Sequence, residues 1–168
     1  MQARQAQRPV NYAGIALVLV GAALVLASRR YLDWYDFPNT TADSSGDATF
    51  SLLRMSVDQL GGAGVAIAYF DWLALTLLIA VIVAGWLANV AWPPATALRV
   101  LGFAFGFIGS AATYYALAQH ANATGSSHNI FHNSTWGLWA AIGGFLIAAL
   151  GAALGPRTPD TPFTPRTG

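Results

Sequence analysis

Residues 72–92 read WLALTLLIAVIVAGWLANVAW. Between the two terminal tryptophans there is no Arg, Asp or His, and Thr76 and Asn89 are the only strongly polar side chains. A helix rises about 1.5 Å per residue, so roughly 20 such residues cross a hydrocarbon layer of about 30 Å. A buried helix of a water-soluble domain normally keeps a polar stripe; this one has none.

Three further runs have the same character: Asn11–Ser28, Val100–Ala118 and Trp136–Leu154. Four such lengths predict an all-α membrane protein with four transmembrane helices. The composition agrees. Of 168 residues 55% are apolar and only 9% charged, against about a quarter charged in soluble domains. Unpaired amides are too costly in lipid, so the spans must be helical. The alternating segments of a β-barrel, roughly ten residues each, are missing.

Outward from these runs, the expected segments are a cytoplasmic N-terminus over 1–10, spans at 11–28, 72–92, 100–118 and 136–154, and a cytoplasmic loop over 93–99. Extracytoplasmic loops fall at 29–71 and 119–135, and 155–168 form a proline-rich cytoplasmic tail expected to be disordered. Orientation follows the arginines. Arg4, Arg8, Arg99, Arg157 and Arg166 share one side, against Arg29, Arg30 and Arg54 on the other. The positive-inside bias gives N-in and C-in in a bacterial plasma membrane, with the Arg29-Arg30 pair opposing it. Tyr31, Trp34, Tyr35, Trp72, Trp92, Trp136 and Trp139 lie near span ends, as interfacial belts do. Arg4, Arg8 and Val25-Leu26-Ala27 also fit a cleavable signal, but the apolar stretch exceeds the roughly 7–15 residues usual there.

Within the first long loop, Asn39 to Asp47 reads as a flexible stretch. Phe50, Leu53, Val57 and Leu60 then recur at helical spacing and predict a short amphipathic helix near 50–60, ended by Gly61-Gly62. Its two readings are a lid on the bundle and a helix that docks on a partner. Asp71 is expected at the outer end of the second span, facing a helix N-terminus.

Small residues recur every four positions: Gly102, Gly106 and Ser110; Ala140, Gly144, Ala148 and Ala152; Ala80, Ala84 and Ala88. Such faces let helix backbones approach closely in lipid. They serve either the protein's own bundle or a face that docks on another integral membrane subunit.

The chemistry-bearing residues are few. His128 and His132, spaced i, i+4, with His120 upstream, are the candidate ligands for Zn or Cu, though no carboxylate or thiol accompanies them. Loop-capping histidines are the plainer reading. No histidine falls inside an apolar run, which argues against haem, and no other cofactor is implied. Cysteine is absent, so thiolate chemistry is excluded. Without Lys or Glu, no acid–base pair stands out, and a non-enzymatic role is expected. A net charge of +1 offers no footprint for nucleic acid. A self-associating transporter or channel would have only Thr76, Ser110 and Thr113 for a polar lining.

Taken whole, the chain resembles the small four-span membrane proteins of mycobacteria and other actinobacteria. The likeness rests on Gly21-Ala-Ala-Leu-Val-Leu-Ala27, the Trp34-Tyr35 pair, and Gly137-Leu-Trp-Ala140 through Gly151-Ala-Ala-Leu-Gly-Pro-Arg157. Several such proteins are accessory subunits, of the Mce lipid-import system or of the respiratory supercomplex. The resemblance implies an auxiliary role, with an Mce-type importer first, and transfers no binding residues.

Overall fold

The computed structural model describes residues 10–36, 47–59, 64–90, 95–123 and 133–155. Four helices in it are long and apolar enough to cross a membrane: Tyr12–Tyr31, Val65–Asn89, Thr96–Asn122 and Trp136–Leu154. We label Tyr12–Tyr31 α1, Phe50–Gln59 α2, Val65–Ala68 α3, Ala74–Asn89 α4, Ala95–Ala123 α5 and Trp136–Leu154 α6. A π-type turn over Tyr69–Leu73 joins α3 to α4 without a break.

Chain-consecutive long helices pack side by side, and α6 closes the ring on α1 in the most extensive contact of the bundle. The sequence explains that intimacy. A Cβ built on Gly21 would lie 2.4 Å from the carbonyl oxygen of Gly144, and one on Gly144 would lie 2.7 Å from that of Gly21. Gly102 and Gly106 of α5 meet α6 in the same way, through Ala152 and Ala149. The recurring small residues thus sit inside this chain's own helix contacts. Gly102, Gly106, Ser110, Gly144, Ala148 and Ala152 are all buried, so they form no lateral face for a partner. In this single chain they are enclosed among its own helices.

Three of the helices outrun the apolar runs: α1 continues past Ser28 to Tyr31, and α5 begins at Ala95, inside the expected 93–99 loop. The second begins at Val65 rather than Trp72, because Gln119 Oε1 of α5 accepts the Ala66 N–H at 3.0 Å. That supplies one of the acceptors a helix start lacks, where Gly64 has no side chain to offer. Asp71 therefore lies inside the helical stretch and does not cap it. Its carboxylate pairs instead with the Arg54 guanidinium. The third extends through His120, which is buried on α5 and not placed in a loop.

A two-stranded antiparallel ribbon, β1 (Asp33–Asp36) with β2 (Asp47–Thr49), is the exception to the helical expectation. It pairs Asp33 with Thr49 and Asp36 with Asp47, with an irregularity between Asp33 and Tyr35. Of the expected flexible stretch, only Asp47 is among the described residues, and it starts β2.

At the far end of the bundle, two asparagines clasp three helices. Asn89 Nδ2 donates to Gly85 O at 2.7 Å and across to Gly151 O of α6 at 3.0 Å. Asn11 receives the Gly14 N–H as the N-cap of α1 and donates to Gly155 O at 2.9 Å. Asn89→Ala should cost about 1–2 kcal/mol, since it strips an inter-helix donor from a buried carbonyl. A lower unfolding midpoint in detergent micelles is the expected readout.

Candidate functional site: the aromatic cap and its arginine pocket

The other end of the bundle is closed by a cap. After α1 stops at Tyr31, β1 turns the chain back so that Trp34 and Tyr35 enter the core, both at 0% exposure. Two adjacent residues face inward because the ribbon is enclosed on both sides, so strand alternation is lost. These two residues are not part of an interfacial belt. Tyr31, Trp72, Trp136 and Trp139, by contrast, are exposed at this end.

Trp34 organises the cap. Its indole Nε1 donates to Ser28 O at 2.9 Å, satisfying one of the carbonyls that the end of α1 leaves open. Its ring meets Phe50 edge-on at 5.1 Å, Phe70 at 6.2 Å and Tyr69 at 6.5 Å between centroids. Such edge contacts suit the aromatic quadrupole and add to the burial energy. Leu53, Leu117 and Leu138 complete the cluster from α2, α5 and α6. The loop before α6 is tied in as well, with Thr135 N donating to Trp34 O at 3.2 Å.

The docking residues expected on α2 therefore point into the protein. Phe50 and Leu53 are buried at 4% and 0% exposure, while Leu52 and Met55 face outward. The Val57 side chain and Leu60 lie outside the described residues. On Phe50 and Leu53, α2 is a lid seated on its own bundle.

The residues considered for a polar lining do not share a surface. Thr76 is on an exposed face and donates to Trp72 O at 3.1 Å. Thr113 is buried and donates its one hydroxyl proton to Gly109 O at 2.7 Å. The Tyr69 hydroxyl, 2.6 Å away, is then the donor to Thr113 Oγ1. Ser110 is buried beside them on α5. Tyr69→Phe should cost about 1 kcal/mol, since Thr113 keeps its bond to Gly109. A small shift of the unfolding midpoint with an unchanged gel-filtration profile is expected.

His120 packs edge-on against Phe70, 6.4 Å between ring centroids. His128 and His132 lie outside the described residues. Among the described residues no group of three metal-ligating side chains comes together.

What the sequence did not single out is the arrangement over the cap. Arg29, at the end of α1, lies with its guanidinium 4.2 Å above the Phe50 ring. Arg30 and Arg54 join it around an open pocket of about 570 Å³, completed by Leu26, Phe50, Ser51 and Met55. Arg54 and its partner Asp71 are each about half exposed, 52% and 50%, so their pairing contributes little to stability. Three guanidiniums gather here from α1 and α2, and among the described residues Asp71 is the one carboxylate paired with them. The signal available in advance was the Arg29-Arg30 pair, on the side where the orientation rule disfavours it. Compared with known proteins, the chain matches no family model, no curated protein and no solved structure.

Proposed function

We propose that this protein is a multi-pass component of a bacterial plasma membrane, N-in and C-in, and a non-catalytic subunit of a larger membrane assembly. One observation carries the reading: the bundle is filled by its own side chains and held at both ends. Phe145, at 0% exposure, fills the middle against the bare Gly109. The aromatic cap closes one end and the Asn11–Asn89 clasp the other. A body packed in this way is suited to holding neighbours in place rather than to conduction.

The neighbours proposed are other integral membrane subunits and the lipid bilayer. They meet the outward stripes Leu75, Ile79, Val83 and Trp86 on α4 and Phe103 and Phe107 on α5, all exposed. The likeness to small actinobacterial four-span proteins makes an Mce-type lipid importer the first assembly to look for, and a respiratory supercomplex the second. Affinity purification after gentle detergent extraction, followed by mass spectrometry, tests the proposal. Stoichiometric recovery of other membrane subunits is the expected result. Recovery of a discrete homo-oligomer alone overturns it, as does solute flux through purified protein in liposomes above that of empty vesicles.

A further inference from the structure

We propose that the Arg29–Arg30–Arg54 pocket is a binding site for the phosphate group of an anionic glycerophospholipid, held with its headgroup over α2. The inference rests on the membrane reading of the bundle.

Its position supports it first. α1 runs from Tyr12 to Tyr31, about one hydrocarbon thickness at 1.5 Å per residue. Arg29 and Arg30, in the last turn, then stand at headgroup level. Tyr31, Trp72 and Trp136, exposed at the same end, mark that level independently, as interfacial aromatics do.

Chemistry supports it next. Guanidinium is a planar fork that matches phosphate oxygens two at a time. The pocket holds three of them and the Ser51 hydroxyl. Arg29 is half-buried and oriented by the Phe50 ring, so little freedom is lost when it takes a phosphate. Among the described residues one carboxylate, Asp71, pairs with these three cations, and it does so on Arg54. The rest of the wall is apolar. Leu26, 50% exposed on α1, and Met55, 52% exposed on α2, offer hydrocarbon beside the charges. A free anion gains nothing from such a wall, whereas a lipid places glycerol and acyl carbons there.

Native mass spectrometry of the full chain in detergent is the test, titrating dioleoyl phosphatidylglycerol, dioleoyl phosphatidylcholine and inorganic phosphate separately. Phosphatidylglycerol should be retained in preference to the zwitterionic lipid. Arg30→Gln, at an exposed position, should weaken it roughly fivefold, the usual worth of one arginine at a lipid surface. Asp71→Asn should tighten binding, because it frees Arg54. A variant that merely loosened the fold would not bind better, so this arm separates recognition from folding. Equal retention of both lipids overturns the inference, as does a tight phosphatidylglycerol complex indifferent to both variants. Inorganic phosphate competing at concentrations comparable to the lipid overturns the lipid assignment. Flotation with phosphatidylcholine vesicles reports on the membrane reading itself: protein that floats yet shows no headgroup preference sinks only this inference.

Discussion

Gly144→Leu should abolish recovery of folded, monodisperse protein, while Gly143→Leu, one residue earlier, leaves it intact. The contrast follows from what each side chain meets. A Cβ at Gly144 would lie 2.7 Å from the carbonyl oxygen of Gly21 and 3.0 Å from the backbone nitrogen of Val25. Those are main-chain atoms of α1, which cannot rotate aside as a side-chain tip does. The helices must separate, and the contact between α1 and α6 is the most extensive in the bundle. Overpacking of this kind reaches about 3 kcal/mol or more, a large part of a stability of about 5–15 kcal/mol. At Gly143 nothing lies within 4 Å of the added Cβ, and replacing glycine within a helix gains up to about 1 kcal/mol of propensity. Gel filtration and thermal unfolding of the two variants side by side make the measurement. Equal behaviour would mean that α1 and α6 do not meet in this register.

Trp34→Ala should be the most damaging change in the cap, at about 3–5 kcal/mol for a fully enclosed large aromatic. The loss is local in origin. It empties the space between Phe50, Tyr69 and Phe70 and leaves Ser28 O without its indole donor. Proteolysis within β1–α2 should accelerate strongly while the helical signal in circular dichroism largely persists. Trp34→Phe, which keeps a ring and loses the donor, should cost about 1 kcal/mol for the hydrogen bond. If Trp34→Ala left the protease sensitivity of residues 33–59 unchanged, the cap would not be held by this ring.

The four long helices were legible in the sequence because their signal is hydropathy summed over about 20 residues. Helix ends were not. Hydropathy falls at the first polar residue, so the apparent second span started at Trp72 and the third stopped at Ala118. Asp71 and His120 lie inside helices because particular neighbours accommodate them: Arg54 pairs with the one, and Phe70 packs against the other. No local pattern announces such partners. The small-residue faces were legible as close-packing surfaces, but their partner was not, since a four-residue spacing is the same whether the opposing helix is internal or foreign. Trp34 and Tyr35 were misplaced because an aromatic pair just beyond a span is chemically what an interfacial belt contains. Only the pairing of β1 with β2, distant in sequence, goes with their turning inward. The arginine pocket was legible only as the Arg29-Arg30 pair. Arg54 lies far along the sequence and reaches them only because α2, which starts at Phe50, packs back against the end of α1.

That the ring of helices is closed by its first and last members has a bearing on biogenesis. As the chain emerges N-terminus first, α1 must wait with its bare Gly21 groove uncovered until Trp136–Leu154 has been synthesised. Neither α4 nor α5 carries the complementary Gly144 backbone that fills that groove. A half-made chain therefore leaves that close-packing groove without its partner until the last long helix has been made.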